Sequence, residues 1–354
     1  MIRALILTPT AFPSISGNAV TAERWRRALT KKGITVSVLS TDGLNPSAFR
    51  KHLQQFRPDL IHVHHAFRSG GLLVNALSAE PQTRVPVVAS PGGTDINEDL
   101  GTPGKREVVF KVFELARIII GQSPEVIQRV KHYMPALSER VIFVPKAVCW
   151  FGEEPCDLRR IAGCNHGDIL FLLPAGIRPV KGNLECLMAM ERVHAIRTKI
   201  RFVAAGPAVD KEYAGRFMKE VVRLSAFARW IEPIPSAAMK SAYCAADVVL
   251  NSSFSEGLSN SLVEAIAAGR PMLASDIPGN RWPVFGENGD FPAGLLFDIR
   301  KPEDLVAKAL KLIDESSLRE ALGRAAVLRQ ARLPREDEEA DGLIAAYNTA
   351  LSIP

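Results

Sequence analysis

Residues 254–269 read FSEGLSNSLVEAIAAG, and the reading of this stretch decides the fold. A β run, ADVVLN (residues 246–251), leads into it through Ser252 and Ser253. A turn of small residues follows, then a helix expected from near Asn260 to Ala268. Glu256 and Glu264 stand eight positions apart, one in the turn and one on the helix. Gly257 lets the backbone approach a ligand closely. The amides of Leu258, Ser259, Asn260 and Ser261 fall at a helix N-terminus, where unpaired N–H groups and the dipole favour an anion. A carboxylate just before such an end can hold a neutral polyol beside a phosphate. Glu264, further along the helix, can reach two adjacent hydroxyls, as on a ribose. The stretch is shaped for a sugar diphosphate.

The same strand–turn–helix rhythm runs outward in both directions. In the first half RALILTP, GITVSVLST, DLIHVHH, PVVASPGG and ARIIIGQS are short apolar runs. Helical patterns lie between them at 19–32, 46–56, 69–79 and 105–117, with Val20, Trp25 and Leu29 as inner positions of the first. Residues 147–168 have little period and many turn formers, which predicts a linker. The rhythm restarts with DILFLLPAG, KIRFVAAGP, RWIEPIP, ADVVLNSS, RPMLASD and AGLLFD. Helices are expected over 182–196, 210–226, 236–245, 259–268, 302–313 and 316–330. Such alternation predicts an α/β chain of parallel sheets with helices on both faces. No fixed-period repeat is present, so the restart is a second domain of one architecture. The expected domains are 1–150 and 165–335.

Bulk properties agree with this division. A chain of 354 residues suits two domains of common size. The formal charge of +6 can draw in anionic partners, but no basic run interleaves with aromatics, so nucleic acid is not expected as a partner. No apolar run approaches the roughly 20 residues that span a bilayer. MIRALILTP reads as a buried first strand rather than a signal peptide. Five scattered cysteines lack zinc-type spacing and read as free thiols in a reducing cytoplasm, the expected location.

The Glu-x7-Glu segment, together with GNAVTAERW, GGTDINED, GIRPVKGN, NSSFSEGLSN, IPGN and AGLLF in order, resembles the retaining, nucleotide-sugar-dependent glycosyltransferases of the glycogen synthase and mannosyltransferase type. The similarity is greatest to the glycosyltransferase 1 domain-containing subgroup. It implies the GT-B architecture, two Rossmann-like doubly wound parallel-sheet domains facing a central cleft. The C-terminal helix, 336–354, would pack back on the first domain, with DGLIAAYNTAL (341–351) as its amphipathic part. The resemblance also implies a nucleoside-diphosphate sugar donor such as a UDP-sugar, and transfer by front-face attack without a covalent enzyme intermediate. The acceptor would be a glycan, a lipid or a small molecule. No cofactor and no metal are expected, since no Asp-x-Asp clasp is present.

Individual residues carry the expected chemistry. Arg178 and Lys181 follow the strand DILFLL, three positions apart at a helix start, so they can face the same way. Pro179 suits a first helical turn. Two cations there would hold a diphosphate and offset the charge that builds on it as the glycosidic bond breaks. Family members carry an Arg and a Lys after this strand, with a longer gap than here. By resemblance, Glu256 stands beside the donor sugar and Glu264 binds the ribose. A two-carboxylate hydrolase is the alternative. Eight residues of helix span roughly 12 Å, beyond the about 5–5.5 Å of a retaining pair and the roughly 6.5–9.5 Å of an inverting one.

Gly17 and Asn18, after the first strand, can let the backbone meet the diphosphate from the first domain. No G-x-G-x-x-G stands there, which disfavours a nicotinamide enzyme. In GGTDINED, Asp95, Asn97 and Glu98 are candidates for acceptor or sugar hydroxyls, and Asp95 reads equally as a turn cap. Relatives carry a histidine where Gly92 stands, so no catalytic histidine is assigned. His62, His64 and His65 end a strand, with 62 and 64 on one face. By resemblance, Gly206 and Pro207 would border the nucleotide, and Trp230 to Ile234, which includes Ile231, matches the family segment whose backbone faces the base. Gly279 and Asn280 of IPGN read as a tight turn near the donor sugar. Trp25 lies among five basic side chains in ERWRRALTKK. A solvated basic face is preferred there over a helix that meets anionic lipid. A nucleotide-sugar epimerase, a phosphorylase, a synthase with a non-sugar acceptor and a non-catalytic sugar-nucleotide binder stand as alternative functions.

Overall fold

Apolar runs bounded by turn formers make the strands, and the amphipathic segments between them make the helices. The computed structural model describes residues 2–79, 85–286, 289 and 291–353. Residue 354, the last of the expected C-terminal helix, lies outside them. The order is β1 (Arg3–Thr8), α1 (Gly17–Lys31), β2 (Thr35–Ser40), α2 (Pro46–Phe56), β3 (Leu60–His64), α3 (Gly70–Ala79), β4 (Val87–Ser90), α4 (Thr94–Asn97), α5 (Lys105–Leu115), β5 (Ala116–Gly121), α6 (Pro124–Tyr133) and β6 (Val141–Phe143). After α7 (Leu158–Ala162) come β7 (Ile169–Pro174), α8 (Asn183–Ile196), β8 (Ile200–Ala205), α9 (Lys211–Arg223), β9 (Ala228–Ile231), α10 (Met239–Ala245), β10 (Val248–Asn251), α11 (Asn260–Ala267), β11 (Met272–Ser275), α12 (Pro278–Phe285), β12 (Gly294–Phe297), α13 (Pro302–Asp314), α14 (Ser316–Gln330) and α15 (Glu336–Ser352). The chain divides into two units, Met1–Cys149 with Pro334–Pro354, and Trp150–Leu333.

Each unit holds one six-stranded, all-parallel sheet. The first runs β2-β1-β3-β4-β5-β6 and the second β12-β11-β10-β7-β8-β9. Read from its own first strand, the second has the Rossmann order 3-2-1-4-5-6 and the first the flavodoxin-like order. Parallel sheets need cover on both faces. Accordingly Leu5, Leu7, Ile61 and Val63 enter one cluster and Ala4, Ile6 and Leu60 the opposite one. In the second sheet Phe171, Phe202 and Leu250 face one way, and Leu170, Leu172, Val203 and Val249 the other.

Several expectations need correction. The segment expected as a linker contains α7, because Leu158 and Ala162 bury themselves against Leu170 and Leu172. Helix α6 was not anticipated; Ser123 caps it, accepting from Val126 N, and Pro124 opens it. IPGN is not a tight turn. Pro278 opens α12, with Gly279 and Asn280 in its first turn. In α1, Trp25 and Leu29 are fully buried as inner positions, while Val20 is half-buried.

α15 packs Leu343, Ala346, Tyr347 and Ala350 onto Trp25, Leu29 and Ile120 of the first unit. Glu339, on its first turns, accepts from Arg24 Nε (2.8 Å) and Nη2 (3.0 Å), Trp25 Nε1 (2.8 Å), Gln122 Nε2 (2.6 Å) and Ala147 N (3.3 Å). A buried carboxylate is tolerable only when matched in this way. Trp25 therefore faces the interior, contrary to a lipid-facing role. Its basic neighbours are paired within the protein: Arg26 and Arg27 with Glu23, and Lys32 with Asp341. Among the described residues no helix is long and apolar enough to cross a membrane.

Candidate active site

In open parallel sheets, ligands bind beyond the carboxyl ends of the strands where the order reverses. In the second unit that point lies between β7 and β10. The chain leaves β7 through Arg178, makes a 3-10 turn over Pro179–Lys181, and enters α8 from Gly182. Gly182 has φ +58°, and a Cβ there would lie 2.2 Å from Ser252 O. Only glycine lets the loop after β7 press so closely on the loop after β10. Ser252 Oγ donates to Lys181 O (2.9 Å) and Phe254 N to Val180 O (2.8 Å), which fixes the two loops together.

This closure brings two expected site residues into contact. Lys181 Nζ lies 2.6 Å from Glu256 Oε1, with side chains 18% and 15% exposed. The same oxygen accepts from Ser253 Oγ (2.8 Å) and Asn251 Nδ2 (3.3 Å). Burial pushes the Glu256 carboxyl up, but the Lys181 charge and the hydrogen bonds from Lys181, Ser253 and Asn251 outweigh it and hold it below its ordinary value.

Asn251, the last residue of β10, organises this corner. Its Nδ2 also donates to Ser259 Oγ (2.9 Å), and its Oδ1 accepts from Ser253 N (3.0 Å) and Asn280 Nδ2 (3.2 Å). Asn280 is fully buried and also donates to Ser275 O and Ser275 Oγ. Gly279 lies against the Glu256 loop, where a Cβ would come within 2.4 Å of Glu256 O. The IPGN segment thus packs directly beneath Glu256 and Gly257.

Ser259 is the N-cap of α11, its hydroxyl accepting from Leu262 N (3.4 Å) and lying 3.0 Å from Ser261 Oγ. Ser259 N points to Gly279 O at 3.5 Å. Asn260 and Ser261 form the first turn and Glu264 follows one turn later, on the same side of the helix as Ser261. Glu264 Oε2 accepts from the buried Tyr243 hydroxyl at 2.7 Å. Leu258, Ser259, Asn260 and Ser261 therefore sit with Glu256 and Lys181 around one helix start.

Arg178 is placed differently. Its backbone N donates to Asn183 Oδ1 (3.2 Å), while its half-buried side chain has no hydrogen-bond or ion-pair partner among the described residues. Gly206 follows β8, where a Cβ would lie 2.2 Å from Ala175 O. Its carbonyl accepts from Trp230 Nε1 (2.8 Å) and its N faces Ile231 O (3.5 Å). Gly206 and Ile231 thus border one another at the ends of β8 and β9.

In the first unit the strand order reverses between β1 and β3. Gly17 and Asn18 open α1, capped by Ser16, whose hydroxyl accepts from Ala19 N (3.2 Å). Asp95 is fully buried, and its carboxylate accepts from the backbone N–H groups of Ala66, Gly92, Gly93 and Ile96. These four donors fasten it to the loops after β3 and β4. Glu98 is exposed and Asn97 half-buried; Arg129 holds their loop by donating to Ile96 O and Asn97 O. The His65 ring lies where a Gly92 side chain would go, with Cδ2 2.9 Å from the ideal Cβ. His65 Nε2 meets Thr94 Oγ1 at 2.9 Å.

His62 stacks on Trp25 and lies between Tyr347 Oη (2.8 Å) and Ser90 Oγ (2.6 Å). Burial pulls its pKa down to about 3. His64 is held well below its usual value by burial and then by His62, His65, Lys146 and Arg24. Among the described residues no group of three or more His, Cys, Asp or Glu side chains could hold a metal ion.

Asn251, Ser253 and Tyr243 were not foreseen as site residues. A polar Asn closing the apolar run VVL was the available signal for the first. Tyr243 had none, because its contact with Glu264 is purely tertiary.

Comparison with known proteins follows the same division. Residues 157–329 match the Glycosyl transferases group 1 model and residues 42–148 the Glycosyltransferase Family 4 model. Glycosyltransferase 1 domain-containing protein 1 of Xenopus tropicalis is 26% identical over 86% of this chain and 86% of its own length. A D-inositol 3-phosphate glycosyltransferase of Segniliparus rotundus is 31% identical over 62% of this chain, which spans about half, 49%, of that relative. Among solved structures, a sucrose-phosphate synthase from Thermosynechococcus elongatus superposes with TM-score 0.82 at 15% identity, covering 100% of both chains. Anabaena HepE in complex with UDP-glucose superposes with TM-score 0.76 at 16% identity, covering 99% of this chain and 100% of that one. The two matched segments and the two doubly wound sheets place this chain in the glycosyltransferases of GT-B fold, with a group 1 glycosyl transferase domain as its second unit.

Proposed function

We propose that the chain is a retaining glycosyltransferase that moves a sugar from a nucleoside diphosphate to a glycan, lipid or small-molecule acceptor in the cytoplasm, without a metal. The contact of Lys181 with Glu256 at the β7/β10 reversal carries this reading. A cation and an ionised carboxylate, joined beside a helix N-terminus, suit a ligand with an anionic half and a polyol half. Lys181 and the first amides of α11 take the diphosphate, Arg178 adds a second cation, and Glu256 takes the donor sugar. Gly206 and Ile231 border the base, and Glu264 takes the ribose. The HepE structure, which has the same fold and was solved with UDP-glucose, supports a UDP-sugar as donor.

In the reaction the bond between the sugar C1 and the diphosphate oxygen breaks, and its electrons leave on the diphosphate. Lys181 and the helix dipole stabilise that charge as it forms. The acceptor hydroxyl attacks C1 from the face that the leaving group vacates, and its proton passes to the departing diphosphate oxygen. Glu256 aligns the sugar and Lys181 bridges carboxylate and phosphate.

The test is calorimetry of Lys181→Ala with UDP, ADP and GDP against their nucleosides. The variant is expected to lose about tenfold or more in diphosphate affinity, worth roughly 1.4 kcal/mol or more, and little in nucleoside affinity. Equal loss for both ligand classes rejects the diphosphate role. Incubation with donor alone separates an epimerase, which converts it. Slow donor hydrolysis is expected to persist in EDTA and to vanish in Glu256→Ala.

A further inference from the structure

Tyr243 is fully buried on α10, with its ring beside Trp150 and within the apolar cluster that also holds Ile234, Leu262 and Ala265. A phenylalanine would fill the same volume. The hydroxyl has a single hydrogen-bond partner among the described residues, Glu264 Oε2 at 2.7 Å. That bond offsets the desolvation of the buried hydroxyl, and a bond to an ionised carboxylate is among the stronger and more directional ones. Burial, then the Glu264 charge and the hydrogen bond to it, hold the phenol well above its usual pKa, so it remains a donor.

We infer that Tyr243 is a positioning residue that orients Glu264 and so sets discrimination between ribonucleotides and deoxyribonucleotides; this rests on reading Glu264 as the ribose-binding carboxylate. An ionised carboxylate offers about four lone-pair sites. A donor fixed on one oxygen sets the plane of the group and directs its remaining sites. Two adjacent hydroxyls can be accepted together only when that plane is set, whereas one hydroxyl gains less from the orientation. Ile234 ends the segment expected to face the base, and Ile231 also packs on the cluster. The tyrosine therefore ties base recognition to ribose recognition through one rigid side chain.

The experiment is calorimetry of the full chain with UDP, ADP and GDP, each against its 2′-deoxy form, for wild type, Tyr243→Phe and Glu264→Ala. Wild type should prefer the ribonucleotide by about tenfold, and Glu264→Ala should abolish the preference. Tyr243→Phe should weaken the ribonucleotide about threefold to tenfold and leave the deoxy form unchanged. Equal weakening of both forms, or an intact preference in Tyr243→Phe with Glu264→Ala abolishing it, overturns the inference alone. No preference in wild type, or a preference that survives Glu264→Ala, overturns the ribose reading as well. Thermal unfolding checks that each variant folds, and Tyr243→Met, which also keeps the apolar fill, substitutes for Tyr243→Phe if that variant does not.

Discussion

The two units reverse their strand order at different places, and the chemistry at the two reversals is opposite. At β7/β10 in the second unit, an ionised carboxylate is kept charged by a lysine, a serine and an asparagine. At β1/β3 in the first, His62 and His64 are kept neutral by burial under Trp25 and Tyr347. A sheet reversal supplies a location, and the side chains that end its strands decide whether it holds charge. The second unit uses glycines at 182 and 279 to bring charged loops together, whereas the first uses α15 as a lid on neutral rings.

The contrast can be broken at its strongest point first. Glu339→Ala leaves Arg24 buried without its carboxylate, and such a loss costs about 3–5 kcal/mol. Trp25 is the only tryptophan of the first unit, so the expected change is early unfolding reported by its fluorescence, with Trp150, Trp230 and Trp282 replaced. An unchanged transition would mean that α15 is not held by this contact.

Acid should separate the two units next. The folded pKa of His62 is depressed, so its contribution is complete above 6.5 and is lost as pH falls from 6.5 toward about 3. The Glu256 carboxyl is also depressed, but from 4.5, so its contribution is lost only as pH falls below that value. Hydrogen exchange should show the first unit loosening before the second between pH 6.5 and 4.5. The reverse order contradicts the comparison.

Asn251→Asp makes the smallest change. It replaces a donor to Glu256 with a second carboxylate, which should move the acid limb of donor hydrolysis up by about one pH unit. A limb that stays in place would show that Asn251 does not act on Glu256.

Much of this was legible in the chain. Short apolar runs gave the strands their places, and the small-residue turn before α11 marked the helix start that meets Lys181. IPGN reads as a turn because Pro and Gly signal turns, yet Pro278 also suits a first helical position, and Gly279 is needed for close approach to Glu256. α7 was hidden because five residues are too few to show a period. α15 begins at Glu336, the expected start, but the part Glu339 plays lies on α1, 314 residues away along the chain, and no local pattern carries it. Asp95 carried one local cue for two roles, and the four backbone donors that hold its carboxylate come from two loops that only the fold brings together.

The sequence by itself determined the alternation of strands and helices, the position of the anion-favouring helix start and the residue types beside it, because periodicity, capping and turn chemistry act within a few residues. Tertiary structure alone decided that Lys181 reaches Glu256, that Asn251 and Tyr243 orient the two glutamates, and that the histidines stay neutral. Those outcomes depend on which loops lie side by side and on how much water is excluded, and neither is written in local pattern.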